Sequence, residues 1–592
     1  MITATKALNE ISIFIFRRDH RLDDNVGLQH CLRLSKLVVP CFIFDIKQID
    51  PKVNDYFSNN QVQFMIESLK DLNESLKKKN SRLHFFHGEI GKTIQTMITE
   101  IKPNAIFVNR DVTPYSKARD KLIEECCKRN NLKFCAFDDV TLLDVGKVVL
   151  SNGKFYQKFT PYYNAATQYN VPAPEENKYT NYISGDGKYA SEFPETKLDS
   201  FYQVNSDKVV TGGRTEALKI LQSIKDFKNY SDTRNYPIQN TTKLSAYMKF
   251  GCVSPREVYK AVADAFGKDC DLIKQLFWRD FYQNVTYFYP HVIGGPMKVK
   301  YANIPWENDL KLFKKWKKGE TGCPIVDAGM RELNKVGFMP NRVRMIVSNF
   351  LVKDLLIDWR WGEKYFAQKL TDYDVSNNNG GWQWSAGCGV DSQPYFRIFN
   401  PALQSEKFDK GCEYILKWIP ELKTVPKSDI HDWENSYKNH KGVNYPAPCV
   451  IHAKQKKKCL DMFSRGFASN TPETSYLTAM NDESKEEEKD VRDSDDGLEA
   501  SEEEVKISPK RSNRANTGKK KVAAKKKETK VKPASGKTKA NSFELEDEET
   551  QSSPPKSSFR RRKAPSTAEN DVYGREDTKL ISKSGKRVKK VA

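Results

Sequence analysis

Apolar positions follow two regimes along this chain. Up to about residue 140 they form short unbroken runs at 11–16, 37–44, 82–86 and 105–109, separated by stretches of helical spacing such as 60–79. Runs of that length read as strands buried on both faces, and their alternation with helices predicts a parallel, Rossmann-like α/β sheet over residues 1–140. No G-x-G-x-x-G fingerprint follows any of the runs, so a dinucleotide in the usual sheet crevice has no motif behind it. Residues 141–215 lose periodicity, are rich in Asn, Tyr and Ser, and read as an interdomain connector. From 216 to 450 the spacing turns helical, with interruptions at 241–245, Gly322 and Gly380–Gly381, and predicts an all-α domain. Beyond 451 aromatics almost vanish. An acidic block at 482–504, a basic block at 510–539, a second acidic block at 544–549 and basic clusters at 560–563 and 586–590 cannot bury a core, so 451–592 is expected to be a disordered tail.

Composition adds a partner class. The net charge is +21; residues from 451 onward carry 34 Lys+Arg against 25 Asp+Glu, which leaves 64 against 52 in the first 450. The folded part is therefore basic in its own right, which favours a polyanion. Twelve cysteines lack a C-x-x-C pair or a Cys/His ligand pattern, so no metal site is expected and the thiols read as reduced and intracellular. No apolar run approaches a membrane span, and residues 1–10 carry neither a signal core nor a transit character. The cytosol or the nucleus is the expected compartment.

All nine tryptophans fall between 278 and 433. That concentration suits either an aromatic core or a domain built around an aromatic ligand, with electron transfer as one use. In the segment around 275–282, helical spacing gathers Gln275, Trp278, Arg279 and Tyr282 on one side: an amide, a stacking platform and a cation. Asn341 and Met345 lie one turn apart, with Arg344 pointing elsewhere. In Asn378–Asn–Gly–Gly–Trp382–Gln–Trp384 an extended backbone would align the two indoles, whereas a helix would separate them by about 200°. Singly, Gln275 also reads as a surface amide, Met345 as core, and Arg342 and Arg344 as salt-bridge formers.

Together these blocks resemble the photolyase/cryptochrome family, most closely the microbial-type (class I) cyclobutane pyrimidine dimer photolyases. The likeness runs from about 11 to 445 and is densest at 318–410. It implies a noncovalent FAD folded into the helical domain, reduced by light and donating an electron to a dimer flipped out of UV-damaged DNA. Matched residue by residue, Tyr230, Thr241, Thr242, Leu244 and Ser245 correspond to the grip on the flavin phosphates and ribitol. Arg279 corresponds to a cofactor-side arginine, and Arg344, Asp372 and Asp374 to the charged set around isoalloxazine and adenosine. Asn378 matches the residue facing flavin N5, where an amide favours fully reduced flavin and an Asp favours the one-electron form. Trp382, Trp359 and Trp306 match a three-tryptophan relay to the surface. Trp278 and Trp384 match the pair that packs the dimer, with Asn341 and Met345 lining the same pocket. Arg234, Arg342 and Arg397 match contacts to backbone phosphates, which position without reading sequence.

Two positions depart from the pattern. Gln275 stands where the dimer photolyases carry a glutamate, and Pro340 where a histidine is common. The (6-4) enzymes need a His-His pair there, so Pro340–Asn341 argues against (6-4) repair, while Gln275 is expected to lower dimer-repair efficiency. The resemblance also implies a second, antenna chromophore, a folate or a deazaflavin. The tail clusters at 510–527, 560–563 and 586–590 resemble nuclear import signals, so an import receptor is an expected partner and the nucleus the expected location; they also read as solvated charge with nonspecific DNA affinity. A monomer is expected. A photoreceptor signalling through the tail is the competing function.

Overall fold

The computed structural model describes residues 9–469. The charge blocks of the tail and the basic clusters that resemble import signals lie outside the described residues.

The N-terminal strands are β1 (Asn9–Phe16), β2 (Ser35–Asp45), β3 (His84–Gly88), β4 (Ala105–Asn109) and β5 (Lys133–Phe137), interleaved with helices α1 (Val26–Arg33), α2 (Asn59–Lys77), α3 (Ile90–Ile101) and α4 (Pro114–Arg129). They form one parallel sheet in the order β3-β2-β1-β4-β5. Alternate side chains feed two cores, Phe14, Phe16, Phe42, Phe44 and Phe107 on one face and Ile13, Ile15, Cys41, Ile43 and Val108 on the other. Double burial is why the runs are continuous rather than alternating. The fifth strand has no such signal: β5 is an edge whose side chains stay half-buried or exposed. Strand order reverses between β1 and β4, and the turns after these two strands carry Arg18 and Asp111 at the crevice where open α/β sheets take ligands.

The connector does more than link. Val38 N donates to Asn181 O at 3.0 Å and Ile183 N to Val38 O at 2.9 Å, so the segment continues the sheet beside β2 before β3 begins. Earlier in it, helix α5 (Phe159–Ala166) sinks Phe159 and Tyr162 into the helical domain.

The helical domain places its chemistry on α6 (Leu244–Lys249), α7 (Asp271–Phe288), α8 (Leu310–Lys318), α9 (Asn341–Asn349), α10 (Trp359–Lys369) and α11 (Val375–Ala386). Gly380–Gly381 is not the expected interruption: both lie inside α11, which Asp374 N-caps by accepting from Asn377 N at 3.0 Å and Gly387 ends in the left-handed region at φ 85°. A Cβ on Gly380 would sit 2.2 Å from the Tyr282 ring of α7, so that glycine sets how closely the two helices approach. The expected boundary at 450 also moves. Helix α12 (His452–Ala468) buries Cys459, Met462 and Phe463 in the core, an apolar face hidden between lysines in the sequence. Its start is held by His452 Nδ1 against Asp354 Oδ1 at 2.6 Å.

Among the described residues no helix is long and apolar enough to cross a membrane, no metal-ligand cluster occurs, and all twelve cysteines are free thiols.

Candidate functional site

Helical geometry on α11 settles how the tryptophan pair is displayed. Trp382 is 2 % exposed and Trp384 half-buried, so the two indoles face different surroundings. The Trp382 ring rests on Gly362 of α10, where a Cβ would come within 2.1 Å, and that helix begins with Trp359. Trp359 is 3 % exposed, and Trp306 is half-buried at the edge of the same core. Exposure thus increases from Trp382 and Trp359 to Trp306, and the buried Trp382 Nε1 has no hydrogen-bond partner. Trp316, not singled out in the sequence, is also fully buried, with its ring centroid 6.1 Å from that of Trp382 and its Nε1 donating to Val347 O.

Asn378 donates its Nδ2 to Glu363 O at 3.1 Å, and its carbonyl oxygen accepts from none of the described residues. One turn on, a Cβ at Gly381 meets nothing within 4 Å, which leaves open space on the α11 face between Asn378 and Trp384. A cavity of about 560 Å³ is lined by Tyr230, Thr241 and Thr242 together with Gln239, Asn240 and Lys243. Hydroxyls and amides of this kind suit phosphate and ribityl oxygens. Leu244 is buried beside it, and Ser245 belongs to a second set: its Oγ donates to Asp372, which also accepts from Arg344 Nη2 at 3.0 Å.

Asp374 has a different task from the one expected. Its carboxylate accepts from Arg18 Nη2, from Gln283 Nε2 at 3.0 Å and from Asn377 Nδ2 at 2.8 Å, besides capping α11. Burial alone would push its pKa up; the nearby cations Arg18, Lys249 and Arg279 instead hold it well below the usual carboxylate range. Arg18 bridges to Asp111 at 2.9 Å as well, so residues from the sheet's crevice clamp the helix that bears Asn378. Arg279 turns inward too, donating to Val140 O, and burial lowers its pKa. Arg18, Asp111, Lys249 and Gln283 carry no motif of their own in the sequence; the only signal for them is the charged turn at 17–25 directly after a strand.

On the opposite set, Trp278 stacks on Phe159 with centroids 3.7 Å apart and planes at 7°, a rigid backing that the connector supplies. Gln275, on the same helix, is half-buried and its side chain makes no hydrogen bond among the described residues. Asn341 is exposed and its Nδ2 lies 3.6 Å from Met345 Sδ, so the amide and the thioether form one patch. Arg397 is exposed beside Gln393, and Arg234 pairs with Asp271 at 3.3 Å. Arg342 departs from its expected role at the phosphates. It is 6 % exposed, lies over the Phe408 ring at 4.2 Å and donates to Asn235, with its pKa lowered to about 10 by burial and by Arg234.

An α/β domain clamped to a helical domain, with a cavity partly lined by hydroxyls and amides, a buried indole series and an exposed amide-thioether patch, defines a two-domain protein with a candidate cofactor site. Residues 12–178 match the DNA photolyase family model and residues 272–465 that of the FAD binding domain of DNA photolyase. The chain belongs to the photolyase/cryptochrome family. It is 36% identical over 471 residues to a deoxyribodipyrimidine photo-lyase of Alkalihalophilus pseudofirmus, covering 76% of this chain and 96% of that one. It is 32% identical to that of Escherichia coli over 75% of this chain and 96% of the relative. Among solved structures, the archaeal photolyase from Sulfolobus tokodaii with two FAD molecules superposes with a TM-score of 0.69 at 40% identity, covering 77% of this chain and 100% of that one. A Synechocystis cryptochrome superposes at 0.70 with 28% identity over 77% of this chain and 100% of its own.

Proposed function

We propose that this chain repairs cyclobutane pyrimidine dimers in DNA with light, by electron transfer from photoexcited reduced FAD to a flipped-out dimer. The observation that carries this reading is α11 itself: one helix presents Asn378 and the open face at Gly381, buries Trp382 against α10, and shows Trp384 to the outside. Bound FAD would supply light absorption and a reducing electron. Tyr230, Thr241 and Thr242 would hold its polar chain, and Asn378 would offer its unspent carbonyl oxygen to a ring N–H. The series Trp382, Trp359 and Trp306 would pass electrons inward from the surface. Trp278, fixed by Phe159, and Trp384 would stack the two bases of the lesion. Flipping a poorly stacked dimer costs only a few kcal/mol, and each aromatic stack returns about 1–3 kcal/mol.

Gln275 would donate its amide to the dimer without the charge of a carboxylate, which lowers yield rather than abolishing repair. The Pro340–Asn341 sequence supplies no imidazole acid, which disfavours (6-4) lesions. A cryptochrome-type photoreceptor is the second reading, supported by the likeness to the Synechocystis protein. Nuclear import through the basic clusters after 510, a second antenna chromophore of folate or deazaflavin type, and a monomeric state are parts of the same proposal. The deciding experiment follows dimers in an oligonucleotide under blue light with a dark control. Light-dependent restoration of thymines is expected; photoreduced protein that leaves both dimers and (6-4) lesions untouched would favour the photoreceptor.

A further inference from the structure

Two lysine stripes take no part in the cofactor or lesion sets. Helix α8 exposes Lys311, Lys314, Lys315 and Lys318, whose i, i+3, i+4, i+7 spacing places all four on one face. Helix α12 exposes Lys454, Lys457 and Lys458 at i, i+3 and i+4, and the next position on that face is Asp461, which binds Arg465 one turn further on. The stripes adjoin. Lys458 Nζ lies 4.0 Å from Glu307, three residues ahead of α8, and Cys449 N, just before α12, donates to Thr321 O at 2.8 Å, just after α8. The Lys315 charge is felt by the Cys449 thiol across that junction.

Neutralisation is sparse. Lys318 lies 3.7 Å from Glu320, and Arg465 is bonded to Asp461 at 2.9 Å. Lys311, Lys314, Lys315, Lys454 and Lys457 form no ion pair among the described residues. The only large exposed apolar side chains on these two helices and their caps are Leu310 at 71 % and Ile451 at 45 %, at separate helix starts. A protein partner is gripped through a buried aromatic or aliphatic cluster, which this face does not have. Lysines act as hydrated point charges without the fork that Arg offers to a specific oxyanion pair. A long polyanion held by charge alone is what such a surface suits. On its buried side, away from these lysines, α12 sets Phe463 edge-on to Trp306 at 5.7 Å. None of Trp278, Asn341, Met345, Trp384 or Arg397 bonds to either helix.

We propose that the α8–α12 face is a second DNA surface, which holds the phosphates of undamaged duplex while the lesion pocket engages the dimer. The proposal rests on the DNA-repair reading and adds a sequence-independent foothold away from the pocket. Each phosphate neutralised by a lysine releases condensed counterions, so binding through this face must weaken steeply with salt.

The test compares the full chain with a Lys311→Gln/Lys314→Gln/Lys315→Gln/Lys318→Gln variant, binding a long undamaged duplex over a salt series. Contributions of the basic clusters after 510 are common to both proteins. The expected result is a log–log salt slope shallower by about 3–4, since each phosphate that no longer meets a lysine removes about 0.9, with affinity at low salt reduced at least about tenfold. The preference for a dimer-containing oligonucleotide too short to leave the pocket should be unchanged. An unaltered slope overturns the proposal. So does a loss confined to duplex RNA, and so does tighter DNA binding by the variant, which would assign the stripe to the chain's own acidic run at 482–504. Light-driven dimer loss in the short oligonucleotide is measured on both proteins: failure in both sinks the repair reading, while the slope decides the surface by itself.

Discussion

Single residues here do their work through what lies behind them. Trp278 is useful as a stacking platform because Phe159 fills its other face at 3.7 Å, so the ring is already ordered before any base arrives. Trp278→Ala should weaken lesion binding by about 1–3 kcal/mol while FAD stays bound, as titration of a dimer oligonucleotide and the flavin spectrum would show; undiminished binding would take Trp278 out of the pocket. Asn378 is similarly prepared. With its N–H spent on Glu363 O, the amide cannot turn without losing that bond, and its acceptor is the end left for a ligand. None of this backing is visible in sequence, because Phe159 and Glu363 sit 119 residues before Trp278 and 15 before Asn378 and carry no motif of their own.

At the scale of elements, the paired glycines of α11 separate two uses of a missing Cβ. Gly380 is a contact position, and Gly380→Ala should drive a methyl into Tyr282 at a cost of about 1–3 kcal/mol of overpacking. Gly381 opens onto empty space, and Gly381→Ala should raise apoprotein stability by about 1 kcal/mol through helix propensity. The same substitution should lower flavin content, because it fills the face beside Asn378. Thermal melts of apoprotein and flavin-to-protein ratios separate the two, and unchanged flavin loading in Gly381→Ala would remove that face from the cofactor site. Sequence reading took these glycines for a break because glycine is a poor helix former; the cap at Asp374 and the packing against Tyr282 outweigh that local cost. The same kind of misjudgement set the end of the fold at 450. Chain ends at 470 and at 452 should therefore behave differently: the longer product keeps α12 and melts like the full chain, while the shorter loses the buried Met462 and Phe463 and melts lower. Equal melting temperatures would refute a structural role for α12.

Across the whole molecule, the clamp between domains is electrostatic. Arg18 and Asp111 come from the sheet's crevice, Asp374 from the start of α11, and Lys249 from the end of α6, where burial and Arg18 lower its pKa to about 8. Asp374 has a folded pKa below its unfolded value, so its contribution is fully present above about pH 4 and is lost as the pH falls through the folded value. Acid should accordingly weaken this clamp, with melting temperature dropping below pH 4 in the parent and less so in Asp374→Asn. Removing one partner of a buried pair leaves the other charge stranded, so Arg18→Ala should cost about 3–5 kcal/mol at neutral pH. A full-stability Arg18→Ala would show that the clamp does not hold the fold together.

Local pattern by itself determined four of the five strands and the long helices, which follow from period and burial that neighbouring residues report. The family and the candidate site residues came instead from resemblance, carried by the motif blocks between 318 and 410. Matching also carried Trp382, Trp359 and Trp306 as a set, though their graded burial had to be seen. Only the tertiary structure decided that Asp374 is spent on Arg18, that Arg342 is buried over the Phe408 ring rather than at the surface, and that the tryptophan pair is split by a helix. The same holds for the approach of Lys458 to Glu307, 151 residues apart. Apart from the helical splitting of the tryptophans, each of those outcomes is a pairing between distant segments, and its energy depends on which groups burial leaves for one another, a quantity that no local window contains.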